Sequence, residues 1–147
     1  MPEEFTTGTF RPVMPDRPNA TPDNTAVDRV LLASGKVVYE LEAEREKRGD
    51  TRTAILRLEQ LYPLADAEIV EALRQYPQAE LVMVQDEPMN QGAWPYLGLN
   101  LPAALAEHGY TKPLRVIARP ASASPATGSS KKHAAEQQAL LDAAFGR

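Results

Sequence analysis

The chain has 147 residues, 16 basic and 20 acidic side chains, and a formal net charge of −4. That length suits one ordinary domain, and a composition of 43% hydrophobic and 24% charged residues is that of a soluble globular protein. The absence of cysteine excludes disulfides, thiolate metal sites and cysteine nucleophiles, and two histidines, His108 and His133, exclude a three-histidine zinc site. Mild acidity argues against a nucleic-acid partner, which wants a basic patch. No apolar run approaches the roughly 18 residues that span a bilayer, and no signal-peptide pattern opens the chain. No membrane partner and a cytoplasmic location are therefore expected.

Of the 13 prolines, Pro2, Pro12, Pro15, Pro18 and Pro22 fall within the first 22 residues. Residues 1–26 are therefore read as an extended lead-in, with a possible edge strand at 10–14. Residues 27–147 are read as the folded domain. Val30-Leu31-Leu32-Ala33 is a short apolar run, followed by a helix from Val37 through Leu41 to Arg48 that Gly49 closes. The run from Thr53 to Leu58 is a second strand. Asp66 is expected to cap a helix with Ile69, Leu73 and Tyr76 on one face. Leu81-Val82-Met83-Val84 is a third strand, with a polar loop from Gln85. Leu97, Leu101 and Leu105 mark the next helix, and Gly109 its stop. Leu114 to Ala118 is a fourth strand, and a helix from about Ser130 carries Ala134, Gln137, Leu141 and Phe145 along one side. Strand–helix alternation of this kind predicts an α/β three-layer sandwich with a mostly parallel sheet.

In such sheets ligands gather beyond the carboxyl ends of the strands. Ser34-Gly35-Lys36 places a hydroxyl, a turn and a cation at a helix start, where backbone N–H groups and the dipole attract anions. It is not a Walker A loop, because Val30 stands where the first glycine belongs. Arg119 is the cation at the end of the fourth strand. Ser34, Lys36 and Arg119 are the candidate groups for an anion such as a phosphate, provided the first and fourth strand candidates lie close together in the sheet. Asp86 and Glu87 are adjacent carboxylates that point in different directions, so they are read as structural. Trp94, Ser122, Ser124 and His133 are read in the same way, with Trp94 expected at a core or interface contact. The segment after Arg119 has many hydroxyls but no G-x-S-x-G elbow. No catalytic, cofactor-binding or metal-ligating residue is assigned.

Several segments in order carry a resemblance: Phe10-Arg11-Pro12-Val13, Leu32 to Lys36, Ile55 to Pro63, Val84 to Trp94, and Arg119 to Gly128. Together they cover nearly the whole chain. The set resembles the C-terminal domain of the 2-oxoglutarate dehydrogenase E1 component, most of all the actinobacterial form fused to a succinyltransferase-type domain. Asp86 stands where a glutamate is more usual, and Lys132 where an apolar residue is common.

The resemblance implies a transketolase-type C-terminal domain of about five strands that serves packing and homodimer assembly. It implies a parent enzyme that decarboxylates 2-oxoglutarate with thiamine diphosphate and Mg²⁺ in the tricarboxylic acid cycle. That enzyme hands succinyl to a lipoyl-bearing succinyltransferase and works with dihydrolipoamide dehydrogenase. Acetyl-CoA activation and a forkhead-associated inhibitor protein are further implied partners. The family's Gly-Asp-Gly diphosphate motif does not occur here, so this chain is expected to bind no cofactor and to be inactive alone. Two other readings stay open: a stand-alone flavodoxin-like module holding an anionic small molecule at its strand ends, and an assembly domain without a ligand.

Overall fold

Four apolar runs become four parallel strands, the first three buried on both sides and the fourth half-buried at the sheet edge. The computed structural model describes residues 11–120 and 130–146. In chain order these form β1 (Val13–Met14), β2 (Arg29–Ala33), α1 (Val37–Arg48), β3 (Thr53–Leu58) and α2 (Asp66–Leu73). They continue as β4 (Glu80–Pro88), α3 (Trp94–Ala106), β5 (Leu114–Arg119) and α4 (Ser130–Phe145), with a single 3-10 turn at Asn24–Ala26. The sheet order is β1-β3-β2-β4-β5. Leu31 lies beside Ile55 on one flank and Val82 on the other, all in parallel.

Alternate residues of each strand enter opposite core layers. Leu32, Leu56, Leu81 and Met83 face Ile69 and Leu73 of α2 and Leu97, Leu101 and Leu105 of α3. Leu31, Ile55, Val82 and Val84 face Val37, Val38 and Leu41 of α1 and Leu140, Leu141, Ala144 and Phe145 of α4. Burying each such leucine contributes about 1.5–3 kcal/mol. This is the expected three-layer α/β sandwich, with two helices on each side.

The lead-in is part of this body from Val13 onward. β1 runs antiparallel to β3, with Val13 opposite Leu58. Its edge position tolerates the flanking Pro12 and Pro15. Two residues on, the Asp16 carboxylate is buried in an ion pair with Arg45 of α1. Val13 and the Asp16 carboxylate thus pin the lead-in to the domain, while Arg17, Pro18, Asn19, Pro22 and Asp23 are exposed; Phe10, the first residue of the expected edge strand, lies outside the described residues.

Three further details differ from the sequence reading. Asp66 is the first helical residue of α2, with Ala65 at the cap. His108 Nε2, 3.1 Å from Asp66 Oδ2, holds that carboxyl below its usual range. β4 runs on to Pro88, past the expected loop boundary at Gln85, through an irregularity between Val84 and Pro88. On α4 the buried residues are Leu140, Leu141, Ala144 and Phe145; Ala134 is exposed and Gln137 half-buried. Gly49 does close α1, in the left-handed region at φ 62°, its N–H directed to the carbonyls of Arg45 and Glu46.

Candidate functional site

The carboxyl ends of β2, β4 and β5 carry most of the candidate residues. β2 ends at Ala33, and Gly35 turns the chain at φ 78° into α1. Lys36 occupies the cap position with no side-chain capping bond and is exposed; Ser34 is half-buried. Of the first-turn N–H groups, that of Val38 donates to the Gly35 carbonyl at 3.3 Å and that of Tyr39 to the Lys36 carbonyl at 3.1 Å, so only the donors ahead of Val38 stand beside the Lys36 cation for an anion. Glu40, in the first turn, opposes an anion there, although its carboxylate already accepts a 2.8 Å bond from Gln137 Nε2 of α4.

Arg119 does not complete this corner. β4 lies between β2 and β5, so the two strand ends are not neighbours. The Arg119 side chain is 8% exposed and its guanidinium is spent on protein groups. Nε donates to the Asp86 carbonyl at 2.7 Å, Nη1 to Glu136 Oε1 at 2.9 Å and Nη2 to Gln137 Oε1 at 2.5 Å. A buried cation survives because its donors are matched in this way. Arg119 thus locks α4 onto the β4 and β5 ends, and Gln137 passes the contact on to α1.

Asp86 and Glu87 follow the strand alternation: Asp86 is half-buried and Glu87 exposed. They do not form a paired acid and base. Trp94 is not in a loop but is the first residue of α3. Its ring packs on its own helix, so that a Cβ at Gly98 would lie 3.0 Å from Trp94 Cζ2, and its inner side meets the core layer of α2 and α3. Of the two expected contacts for Trp94, core or interface, the core contact is present, with the residue half-buried. His133 is exposed on α4, and Ser122 and Ser124 lie outside the described residues.

Gln85 escaped the sequence reading. It is 3% exposed and organises the whole turn from β4 into α3. Its Nε2 donates to the carbonyls of Pro88 at 2.9 Å and Gln91 at 2.8 Å, and its Oε1 accepts from Trp94 N–H at 2.8 Å. Gly92, at φ 68°, passes so close that a Cβ would sit 2.8 Å from Glu87 Oε1. The available signal was a lone amide ending an apolar strand, where an unsatisfied polar group is costly. Gln85→Leu keeps the shape and loses these bonds and a longer one, 3.4 Å, to the Glu87 carbonyl, so it should destabilise the chain by roughly 2–3 kcal/mol. Trp94 is the only tryptophan, so its emission should shift with the freed turn. Denaturant unfolding followed by Trp94 fluorescence checks both, and unchanged emission with unchanged stability would refute the role.

Among the described residues no three His, Cys, Asp or Glu side chains group as metal ligands. Among them also, no helix is long and apolar enough to cross a membrane.

A family profile described as 2-oxoglutarate dehydrogenase C-terminal matches residues 1–145. A multifunctional 2-oxoglutarate metabolism enzyme of Mycolicibacterium vanbaalenii is 47% identical over 147 residues, which is 98% of this chain and 12% of that protein. The same-named protein of Mycobacterium sp. strain JLS is 46% identical over 145 residues, 97% of this chain and 11% of its own length. The chain thus spans only about an eighth of these curated relatives.

Proposed function

The chain belongs to the 2-oxoglutarate dehydrogenase C-terminal family, and from that premise we propose that it is the assembly and regulatory domain of a larger, thiamine-diphosphate-dependent 2-oxoglutarate dehydrogenase. The observation that carries this reading is a family match across residues 1–145 in a chain spanning 11–12% of its relatives. The larger polypeptide would decarboxylate 2-oxoglutarate in the cytoplasm as a homodimer. It would pass succinyl to the lipoyl arm of a succinyltransferase that dihydrolipoamide dehydrogenase reoxidises.

The residues of this chain do not fit the diphosphate–Mg²⁺ group. The sequence contains no Gly-Asp-Gly, and the described carboxylates do not converge. No chemical step is assigned to it. Its own residues do positioning work: Gln85 fixes the turn into α3, and Arg119 fixes α4 against the strand ends. The regulatory part of the reading rests on Ser34 and Lys36, where an anionic group of acetyl-CoA would meet the N–H groups ahead of Val38 at the helix start and one cation. Arg119 acts there only as a positioning residue. An inhibitory forkhead-associated protein belongs to the same proposed level of control.

The test is a decarboxylation assay with thiamine diphosphate and Mg²⁺ on the 147-residue chain and on a longer polypeptide that contains it. Turnover is expected only from the longer polypeptide, and turnover by the 147-residue chain would overturn the reading. In that assay Lys36→Ala should reduce activation by acetyl-CoA more than turnover without it; unaltered activation leaves assembly as the only role.

A further inference from the structure

α3 runs Trp-Pro-Tyr-Leu-Gly-Leu-Asn-Leu-Pro-Ala-Ala-Leu-Ala and contains no charged side chain in 13 residues. α1, of 12 residues, carries Glu40, Glu42, Glu44, Arg45, Glu46, Lys47 and Arg48. A helix packed on a sheet by one stripe needs polar residues on its other side, and one that is apolar all round is normally covered all round. Only one stripe of α3 is fully buried, through Leu97, Leu101 and Leu105, with Trp94 and Tyr96 half-buried at its margins.

On the outer side Leu99, Ala103 and Ala106 are exposed and recur at three- and four-residue steps, and Tyr96, half-buried against the core at the margin, continues them as a second apolar stripe. Leu99 is 82% exposed. Tyr62, 80% exposed in the loop after β3, extends the stripe by standing edge-on to Tyr96 with ring centroids 6.2 Å apart. Large apolar side chains that adjoin in this way, with no charge among them, mark a contact surface.

We propose that the outer face of α3, with Tyr62, docks against an uncharged apolar surface of another domain of the same longer polypeptide. This rests on the domain reading above. Seven-eighths of each relative lies outside the matched region, which supplies the partner. A second copy of this chain fits less well. It would bring its own net charge of −4, and α2, in the same layer as α3, presents Asp66, Glu68 and Glu71. The tyrosine hydroxyls leave hydrogen bonding for the rim, a division typical of contacts with an apolar centre.

The chain has no cysteine, so Leu99→Cys and Ala103→Cys place unique thiols within it on this stripe. Maleimide labelling rates, read at those peptides by mass spectrometry, compare the dilute 147-residue chain with the longer polypeptide. Both thiols should react freely in the former and at least roughly tenfold more slowly in the latter, because access sets the rate. Equal rates would overturn the proposal and leave the domain reading intact, provided the longer polypeptide still turns over 2-oxoglutarate. Slowing in the 147-residue chain as its concentration rises would make a second copy the occupant and overturn it too. A native polypeptide no longer than 147 residues would remove both the partner and the domain reading.

Discussion

Asp16→Ala should destabilise the chain by about 3–5 kcal/mol, the usual cost of stranding one charge of a buried pair. The Asp16 side chain is 5% exposed and that of Arg45 6%. Their bond is two-pronged, Oδ2 to Nη1 at 2.7 Å and Oδ1 to Nη2 at 2.9 Å. Asp16 Oδ2 also accepts the Ile55 N–H at 3.0 Å, and Arg45 Nη1 donates to the Thr53 carbonyl at 3.1 Å. One carboxylate thus joins the lead-in, α1 and the outer edge of β3, and its removal leaves a buried guanidinium with a single carbonyl for company. For a domain of this size the loss corresponds to a fall in Tm of roughly 6–20 °C. Asp16→Ala combined with Arg45→Met should cost much less than the sum of the two single changes, since the pair itself adds little beyond a well-packed apolar substitute. Thermal unfolding of the three variants settles it: an Asp16→Ala loss below about 1 kcal/mol would show that the lead-in is not held by this pair.

Val30–Ala33, Thr53–Leu58, Leu81–Val84 and Leu114–Ala118 were legible as strands because a doubly covered strand must be apolar at its centre, and that signal is local. The faces of α2 and α3 were legible for the same reason, through Ile69, Leu73, Leu97, Leu101 and Leu105. What stayed hidden is long-range. Asp16 meets Ile55 across 39 positions and Arg29 meets Ala144 across 115. A polar residue at a strand end reads alike whether it awaits a ligand or serves a distant helix. Arg119 reads from sequence as the first and in the structure is the second. Gln85 leaves no mark in the sequence pattern, because an amide that bonds its own turn gives no periodic sign. Of the proposed anion corner, Ser34 and Lys36 do come together at the end of β2, since three consecutive residues at a strand–helix turn need no tertiary information to be placed. The third member depended on sheet order, and the insertion of β4 between β2 and β5 removed it.

Arg29→Met should have the next largest effect, about 2–4 kcal/mol at neutral pH, because this side chain caps the end of α4. Arg29 is 7% exposed. Its Nη1 donates to the carbonyls of Ala143 at 3.0 Å, Ala144 at 2.8 Å and Gly146 at 2.9 Å. A helix end leaves such carbonyls without partners and gathers negative dipole, so a buried cation there answers both needs. Methionine fills the volume and supplies neither. Amides in the last turns of α4 should then exchange faster while those of β3 do not, since the loss is local to the helix. The pH dependence separates this role from the Arg29 ion pair. Nε also bonds Glu80 Oε2 at 2.9 Å. Burial raises the Glu80 carboxyl, but the Arg29 hydrogen bond and charge, helped by Arg115, outweigh it and leave the group below its ordinary value. A depressed carboxyl contributes stability that is present above the unfolded value, about 4.3, and is lost as pH falls through the folded one. Without Arg29 the depression weakens, so the gap between the native protein and Arg29→Met should narrow from pH 7 to about pH 3. Since Glu80 is 44% exposed, solvent screens this part and the larger share of the gap should persist in acid. Denaturant unfolding at the two pH values decides between the roles. A gap that vanishes in acid would mean that Arg29 works through Glu80 and that the carbonyls of α4 do without it.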